Sequence, residues 1–354
     1  MTDEDTIGRA AAAYEEGDHA EARRLAVAAL PALAGEHAVG ALLLLGRSER
    51  SLGAHEQAEA AFRRAAAVVD ELPAGPDRDR LRVYALEALA ELRRAQGRYA
   101  DAEPLFRQAL ALADSTFGAQ SLETADVANG LAVTFKFAGR FDEAEALYRR
   151  ALPALEAALG PDHPNVASVY HNLGGLEHAR GNFEAAEPLA RRSVQLRERA
   201  VPPDHPDLAA DRAALAAILD ALGKDEEAET MLRQALAVFE RLYGPGHYEV
   251  GVNTANLAAL LHRRGDLAGA EPLYRRALAI AETALGADHP ELAPTLNNLG
   301  FLCATDGRAA EAEALYRRAL AILDVNVEPA HPTLVACREN LAALVGPSDP
   351  GVSA

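Results

Sequence analysis

Five histidines recur at an interval of 42 residues, and histidine is a common metal ligand and proton carrier near neutral pH. They are His163, His205, His247, His289 and His331. Equivalent positions in a repeating chain lie one whole repeat apart, much farther than two ligands about 2 Å from one zinc ion can be. We therefore expect each histidine to serve the start of a helix. No metal site and no cofactor is predicted.

Two further features could suggest catalysis. Gly223-Lys224 resembles the last part of a phosphate-binding loop. Ile218, however, occupies the position of the first glycine of that motif, and no predicted strand precedes it. Cys303 and Cys337 are the only cysteines, and Cys303 falls beside a repeated leucine, which favours core packing over a nucleophilic role. The glutamates recur at repeated positions with an arginine nearby, and none stands out as a tuned acid. The sequence predicts no enzyme.

Composition narrows the class of partner. The chain has 35 Lys and Arg against 53 Asp and Glu, a formal charge of −18. Nucleic acids and anionic membranes are bound through an excess of basic residues, so neither is an expected partner. No apolar run approaches the roughly 20 residues of a membrane helix, and the start lacks a signal-peptide pattern. With two cysteines and no disulfide framework, the expected location is cytoplasmic.

The histidines belong to a longer repeat that predicts pairs of helices. A leucine recurs at the same interval in the first helix of each pair and is always followed by alanine or glycine, which lets a second helix approach closely. The leucines are Leu89, Leu131, Leu173, Leu215, Leu257, Leu299 and Leu341. A glycine then ends the first helix and allows the chain to reverse. These glycines are Gly97, Gly139, Gly181, Gly223, Gly265 and Gly307.

The second helix of each pair carries Ala-Glu, with another small residue seven positions after the alanine and on the same face. An arginine follows each glutamate by four residues, an arrangement that stabilises an exposed helix by about 0.2 to 0.5 kcal/mol per pair. The pairs are Glu103 and Arg107, Glu145 and Arg149, Glu187 and Arg191, Glu229 and Arg233, Glu271 and Arg275, and Glu313 and Arg317. The glutamates are therefore interpreted as helix-stabilising.

These columns, with joints such as Gly-Pro-Asp-His-Pro at 160–164, resemble the tetratricopeptide repeat, and specifically its 42-residue kinesin light chain type. The match covers about residues 79–345. The resemblance implies an all-α, right-handed superhelical solenoid of about eight antiparallel helix hairpins plus a C-terminal capping helix. We expect two degenerate hairpins in residues 1–75, six 42-residue hairpins in 76–330, a capping helix in 331–345 and a disordered tail in 346–354.

The resemblance also implies that the first helices line a concave groove. Positions near the core leucine vary there, and asparagine recurs one residue before it. An amide both donates and accepts hydrogen bonds, as the main chain of a bound peptide requires. The candidate peptide-binding residues are Asn129, His171, Asn172, Asn256, Asn297, Asn298, Asn340, Lys136, His178 and His262. The alternative is that these side chains form the solvated face of each helix or cap it locally.

The predicted function is that of an adaptor or scaffold that binds a peptide segment of a partner protein in the groove. Two alternatives remain open at this point. One is a self-associating structural scaffold, which makes a homo-oligomer possible. The other is a regulatory peptide sensor that acts through a separate output protein.

Overall fold

The computed structural model describes residues 3–345, so the tail predicted for 346–354 lies outside the described residues. Within this range the chain forms seventeen α-helices, two short 3-10 helices at Leu30–Ala32 and Pro290–Leu292, and no strand. The α-helices are α1 (Asp3–Glu15), α2 (His19–Ala29), α3 (Gly35–Ser51), α4 (His55–Glu71), α5 (Pro76–Ala95), α6 (Tyr99–Thr116), α7 (Leu122–Ala138), α8 (Phe141–Leu159), α9 (Pro164–Ala179), α10 (Phe183–Ala200), α11 (Pro206–Ala221), α12 (Asp225–Tyr243), α13 (Tyr248–Arg263), α14 (Leu267–Leu285), α15 (Ala293–Thr305), α16 (Ala309–Leu323) and α17 (Pro332–Val345).

Consecutive helices pack as hairpins, for example α9 with α10 and α13 with α14. Over residues 3–345 the odd-numbered helices α1 to α15 are the first helices of eight hairpins, and α17 follows the last hairpin without a partner of its own. The predicted all-α fold of eight hairpins and a capping helix is confirmed.

Contacts divide the chain into two compact units, Met1–Thr134 and Phe135–Ala354, which we call the first and second unit. Helix α7 crosses the limit between them. This division follows contacts, whereas the predicted segments 1–75, 76–330 and 331–345 follow repeat length. Those segments therefore stay a prediction.

The repeated columns form the core. Leu131, Leu173, Leu215, Leu257 and Leu299 are all at most 8% exposed. The residue four positions after each Ala-Glu alanine is also buried and is usually aromatic. The rings of Phe62 and Tyr316 occupy the space where a Cβ on Gly46 and on Gly300 of the paired first helix would stand. Ala342 is exposed because no second helix follows α17. Packing between the two helices of a hairpin thus explains why these columns repeat.

The predicted glutamate–arginine pairs all form, with N–O separations between 2.6 and 2.9 Å. Four of these glutamates also pair with a basic residue of the next hairpin, at 2.6 to 2.8 Å. The additional partners are Arg180 for Glu145, Lys224 for Glu187, Arg264 for Glu229 and Arg308 for Glu271. The glutamates therefore link consecutive hairpins as well as stabilising their own helix.

The five joint histidines cap helices, as predicted. In each case Nδ1 accepts a hydrogen bond from the backbone N–H two residues later, at 3.1 to 3.3 Å. The acceptors belong to His163, His205, His247, His289 and His331. A nitrogen that accepts carries no proton, so this cap requires the neutral imidazole with its proton on Nε2. Each histidine therefore acts on the start of its own helix.

These caps predict a stability that depends on pH. Burial lowers the pKa of His247 and of His331 below the ordinary histidine value. A depressed pKa contributes stability that is complete above the unfolded-state pKa of about 6.5 and is lost as pH falls through the folded-state value. The contribution of the caps to the free energy of unfolding should therefore be smaller at pH 5.0 than at pH 7.5. His247→Asp, whose carboxylate caps at both pH values, should gain stability relative to the unmodified chain when urea denaturation is repeated at pH 5.0 instead of pH 7.5; a gap that does not change with pH would refute the capping explanation.

Within the second unit, the loop before α17 contacts the turn between α7 and α8. The backbone N–H of Glu328 donates to the carbonyl of Ala138 at 2.9 Å. The His331 ring lies 6.5 Å from the Phe141 ring, and its Cδ2 lies 3.0 Å from the place where a Cβ on Gly139 would stand. We call this the 138–331 contact. It joins the two ends of the second unit.

Candidate binding surface on the first helices

The first helices of the second unit line one side of the stack. Contacts recur between α9 and α11, α11 and α13, α13 and α15, and α15 and α17. Among the described residues, successive second helices do not contact one another to the same extent. The first helices therefore lie closer together, as the inner side of a curved stack requires. We call their shared surface the inner wall.

The structure brings most of the predicted site residues to this part of the chain, but not all. Lys136 is on α7, and His171, Asn172 and His178 are on α9; Asn256 and His262 are on α13, Asn297 and Asn298 on α15, and Asn340 on α17. All are partly buried. Asn129 belongs to the first unit and is not grouped with the others. Their role in binding a peptide stays a prediction.

The asparagines differ in what they already bind. Asn340 Nδ2 donates to Asn297 Oδ1 at 2.9 Å, so these two amides join α17 to α15. The amides of Asn256 and Asn298 have no hydrogen-bond partner among the described residues. The Asn297 and Asn340 amides therefore join the capping helix to α15, whereas the donors and acceptors of Asn256 and Asn298 are not used by any described residue.

An exposed aromatic ring lies beside these unoccupied amides. Phe301 follows Asn298 by three residues on α15, so both face the same side of the helix, and Phe301 is 50% exposed. Its ring lies 5.6 Å from that of His262, which also contacts Tyr274 at 6.1 Å. Burial lowers the pKa of His262, which favours a neutral ring. We call Asn256, His262, Asn298 and Phe301 the amide–aromatic patch.

A charged stretch lies earlier on the same wall. Burial lowers the pKa of His178, the charge of Lys136 lowers it further, and Asp220 opposes them. The Lys136 Nζ lies 3.5 Å from where a Cβ on Gly175 would stand. Arg263 forms ion pairs with Asp220 on the neighbouring helix. Positive and negative groups are thus interleaved here, without a single-sign channel.

His171 is held by a buried ionic network that the sequence analysis missed. Its Nδ1 lies 2.8 Å from Asp211 Oδ1, and Arg197 Nε donates to the other Asp211 oxygen at 3.1 Å. Asp211 is 2% and Arg197 6% exposed. Arg197 also donates to Ser168 Oγ at 3.0 Å. The sequence carries one signal of this network. The residues 42 positions before and after Asp211 are Val169 and Asn253, which are uncharged and buried, so Asp211 puts a charge at a position that is buried in both neighbouring repeats.

One carboxylate in the first unit corrects the sequence expectation that none stands out. Burial, and then the charges of Glu91 and Asp126, raise the pKa of Glu87 on α5 to about 8. At neutral pH its carboxyl group is therefore largely protonated. Glu91 follows Glu87 by one turn on α5, so the sequence shows that pair of acids. The burial of Glu87 and the approach of Asp126 from α7 depend on the fold and could not be read from the sequence.

The described residues contain no group of three His, Cys, Asp or Glu side chains arranged to hold a metal ion. None of the helices within 3–345 is both long and apolar enough to span a membrane. Cys303 and Cys337 are buried, and burial raises the pKa of both thiols. A raised pKa keeps a thiol protonated and unreactive, in agreement with core packing.

A family model described as tetratricopeptide repeat matches residues 79–157, 138–199, 165–241, 209–283 and 252–324, and a second of the same description matches 6–28. No curated protein matches the chain in sequence.

Among similar solved structures, a Rap protein complexed with competence and sporulation factor has 12% identity and a TM-score of 0.64, covering 97% of each chain. The apo form of RapI has 13% identity and a TM-score of 0.55, covering 96% of this chain and 97% of that one. A putative kinesin light chain from Podosopora anserina has 23% identity and a TM-score of 0.46, covering 60% of this chain and 98% of that one. At 12% and 13% identity, the likeness to the two Rap structures concerns the fold alone.

Proposed function

The chain belongs to the tetratricopeptide repeat family, and on that premise we propose that it is a protein–protein interaction scaffold whose inner wall binds an extended peptide segment. The observation that carries this proposal is the pair of amides, Asn256 and Asn298, that have no hydrogen-bond partner among the described residues. Each can accept from a peptide N–H and donate to a peptide carbonyl. Binding, and no catalysis, is the proposed activity.

The surroundings of these amides suit such a segment. Phe301 exposes half of its surface, which gives an apolar side chain of the partner a place to pack. The formal charge of −18 favours a neutral or basic partner over an acidic one. The Rap structure was solved in complex with competence and sporulation factor, so a helical chain of similar fold can hold a ligand.

A peptide selected from a random display library on the full chain would test the proposal. Its dissociation constant should rise about tenfold or more in the double variant Asn256→Ala and Asn298→Ala, because two hydrogen bonds contribute roughly 0.5 to 1.5 kcal/mol each. Fluorescence polarisation of the labelled peptide measures this change. The melting temperature should hardly move, since neither amide bonds to the described residues.

Asn182→Ala is the matched control. This asparagine lies in the turn between α9 and α10 and donates to Glu177, away from the amide–aromatic patch. The control should bind the peptide like the unmodified chain. If the double variant folds and binds the selected peptide as tightly as the control, the inner wall at Asn256 and Asn298 is not the binding surface.

A further inference from the structure

The 138–331 contact joins the two ends of the row of first helices in the second unit. This row runs from α9 through α11, α13 and α15 to α17, and each of these helices contacts the next. The contact lies between the α7–α8 turn, which precedes the row, and the loop that leads into α17. A row whose ends are joined surrounds the space that its inner side faces. The inner wall can then be reached only along the axis of the row, or by separating the two ends.

The turn at Gly139 differs from the equivalent turns of the second unit. A Cβ on Gly139 would lie 3.0 Å from Cδ2, 3.3 Å from Cβ and 3.4 Å from Cα of His331. A Cβ on any of four equivalent glycines would meet no described atom within 4 Å; these are Gly181, Gly223, Gly265 and Gly307. All five have a positive φ, which by itself favours glycine. Gly139 in addition makes room for a distant part of the chain.

The contact involves a turn and a loop, and no helix interior. The loop at 324–331 separates α16 from α17, and it is exposed at several positions, most of all at Val325, which is 81% exposed. The ion pairs that link consecutive hairpins lie elsewhere, for example between Glu145 and Arg180. The contact can therefore break while the packing inside each hairpin and between neighbouring hairpins is kept.

We propose that the 138–331 contact is a clasp that controls access to the inner wall. When the clasp is closed, a partner segment cannot enter or leave between the two ends of the row; when it opens, the ends separate and the segment passes. Asn256, Asn298 and Phe301 lie on α13 and α15, inside the closed row. The inference rests on the proposed function, because the wall that it gates is the one proposed to bind a peptide.

Gly139→Ala should open the clasp. Rotation of the His331 ring does not relieve the clash, because the added methyl group would also press on the Cβ and Cα of His331, so the loop must move away. Gly181→Ala is the matched control: Gly181 has φ 78° against 87° for Gly139, so both alanines carry the strain of a left-handed backbone, but a Cβ on Gly181 meets no described atom within 4 Å. His331→Asn is a second way to open the clasp, since asparagine still caps α17 but lacks the ring.

Amide hydrogen exchange of the full chain reports whether the clasp is closed. The Glu328 N–H is bonded to the Ala138 carbonyl across the contact, so its exchange should be slow in the unmodified chain and in Gly181→Ala. In Gly139→Ala and in His331→Asn the same amide should exchange as fast as an unbonded loop amide. Thermal melting of each variant confirms that it is folded.

A thiol on the inner wall reports access. Phe301→Cys places it at a position that is 50% exposed, while the natural cysteines, Cys303 and Cys337, are buried and have raised pKa values. Its rate of reaction is measured with N-ethylmaleimide and with a maleimide that carries a branched polyethylene glycol. Gly139→Ala and His331→Asn, but not Gly181→Ala, should raise the ratio of the bulky to the small rate constant. Minor conformers usually make up about 10% or less of the molecules, so opening all of them should raise this ratio about tenfold or more.

Two results would overturn the clasp. One is fast exchange of the Glu328 amide in the unmodified chain, which would mean that the contact does not form in solution. The other is an unchanged ratio of the two maleimide rates in variants whose Glu328 amide has lost its protection, which would mean that the contact does not limit access. Neither measurement uses a peptide, so the clasp can fail while Asn256 and Asn298 still bind the selected peptide, and it can hold in a chain that selects none.

Discussion

Gly300→Val is expected to lower the free energy of unfolding by about 3 kcal/mol, at the upper end of the usual cost of overpacking a core. A Cβ on Gly300 would lie 2.7 Å from Cε1 and 3.0 Å from Cδ1 of Tyr316. Tyr316 is 1% exposed, so its ring is enclosed by the core. Either α15 separates from α16 or the ring leaves its rotamer. Urea denaturation followed by circular dichroism measures the loss.

Gly175→Ala is the control for this substitution. Gly175 is also a helical glycine on a first helix, but its Cβ would meet only the flexible end of Lys136, at 3.5 Å. An added methyl group there should be neutral or stabilise the chain by about 0.5 to 1 kcal/mol through helix propensity. Equal stability of the valine variant and the unmodified chain would mean that α15 and α16 are not packed through Gly300 and Tyr316.

Asp211→Ala should lower the free energy of unfolding by about 3 to 5 kcal/mol, because it leaves a buried guanidinium without its carboxylate. Arg197 is 6% exposed and retains only Ser168 and the more distant Asp207, whose oxygen lies 3.5 Å away. His171 loses its hydrogen bond at the same time. The midpoint of chemical denaturation at pH 7.5 reports the change.

Replacing both charged partners separates the charge from the packing. The double variant Arg197→Met and Asp211→Leu fills a similar volume with apolar groups and should recover most of the stability that Asp211→Ala loses. Asp225→Ala serves as a surface control, because its carboxylate pairs with a partly exposed Arg263 and should contribute less than about 1 kcal/mol. If Asp211→Ala lowers the free energy of unfolding by no more than Asp225→Ala does, the network of His171, Asp211 and Arg197 is not buried in solution.

Features that recur with the repeat could be predicted from the sequence because packing between identical hairpins fixes them. The leucine column, the glutamate–arginine pairs and the histidine caps all follow from one helix or from one hairpin. The reversing glycines have φ between 70° and 87°, a left-handed conformation that glycine adopts at little cost. Each of these expectations depends only on neighbours in the chain.

Features that depend on one particular pair of hairpins could not be predicted in the same way. Both Asn297 and Asn298 fall on α15, and only the position of α17 decides that Asn297 is bonded to Asn340. The raised pKa of Glu87 requires burial and two further acids. Individual neighbours, and not the repeat, determine these sites.

The 138–331 contact changes how the second unit should lose its structure. A linear stack of hairpins has two ends, and each end hairpin frays first because it has only one neighbour. Here the hydrogen bond from the Glu328 N–H to the Ala138 carbonyl, together with the tilted contact of the His331 and Phe141 rings, gives the last element a second neighbour at the opposite end of the unit. Neither end of the second unit is therefore left with a single neighbour from which unfolding could begin. Its hairpins should unfold together in one cooperative transition, with little partial unfolding of the end hairpins.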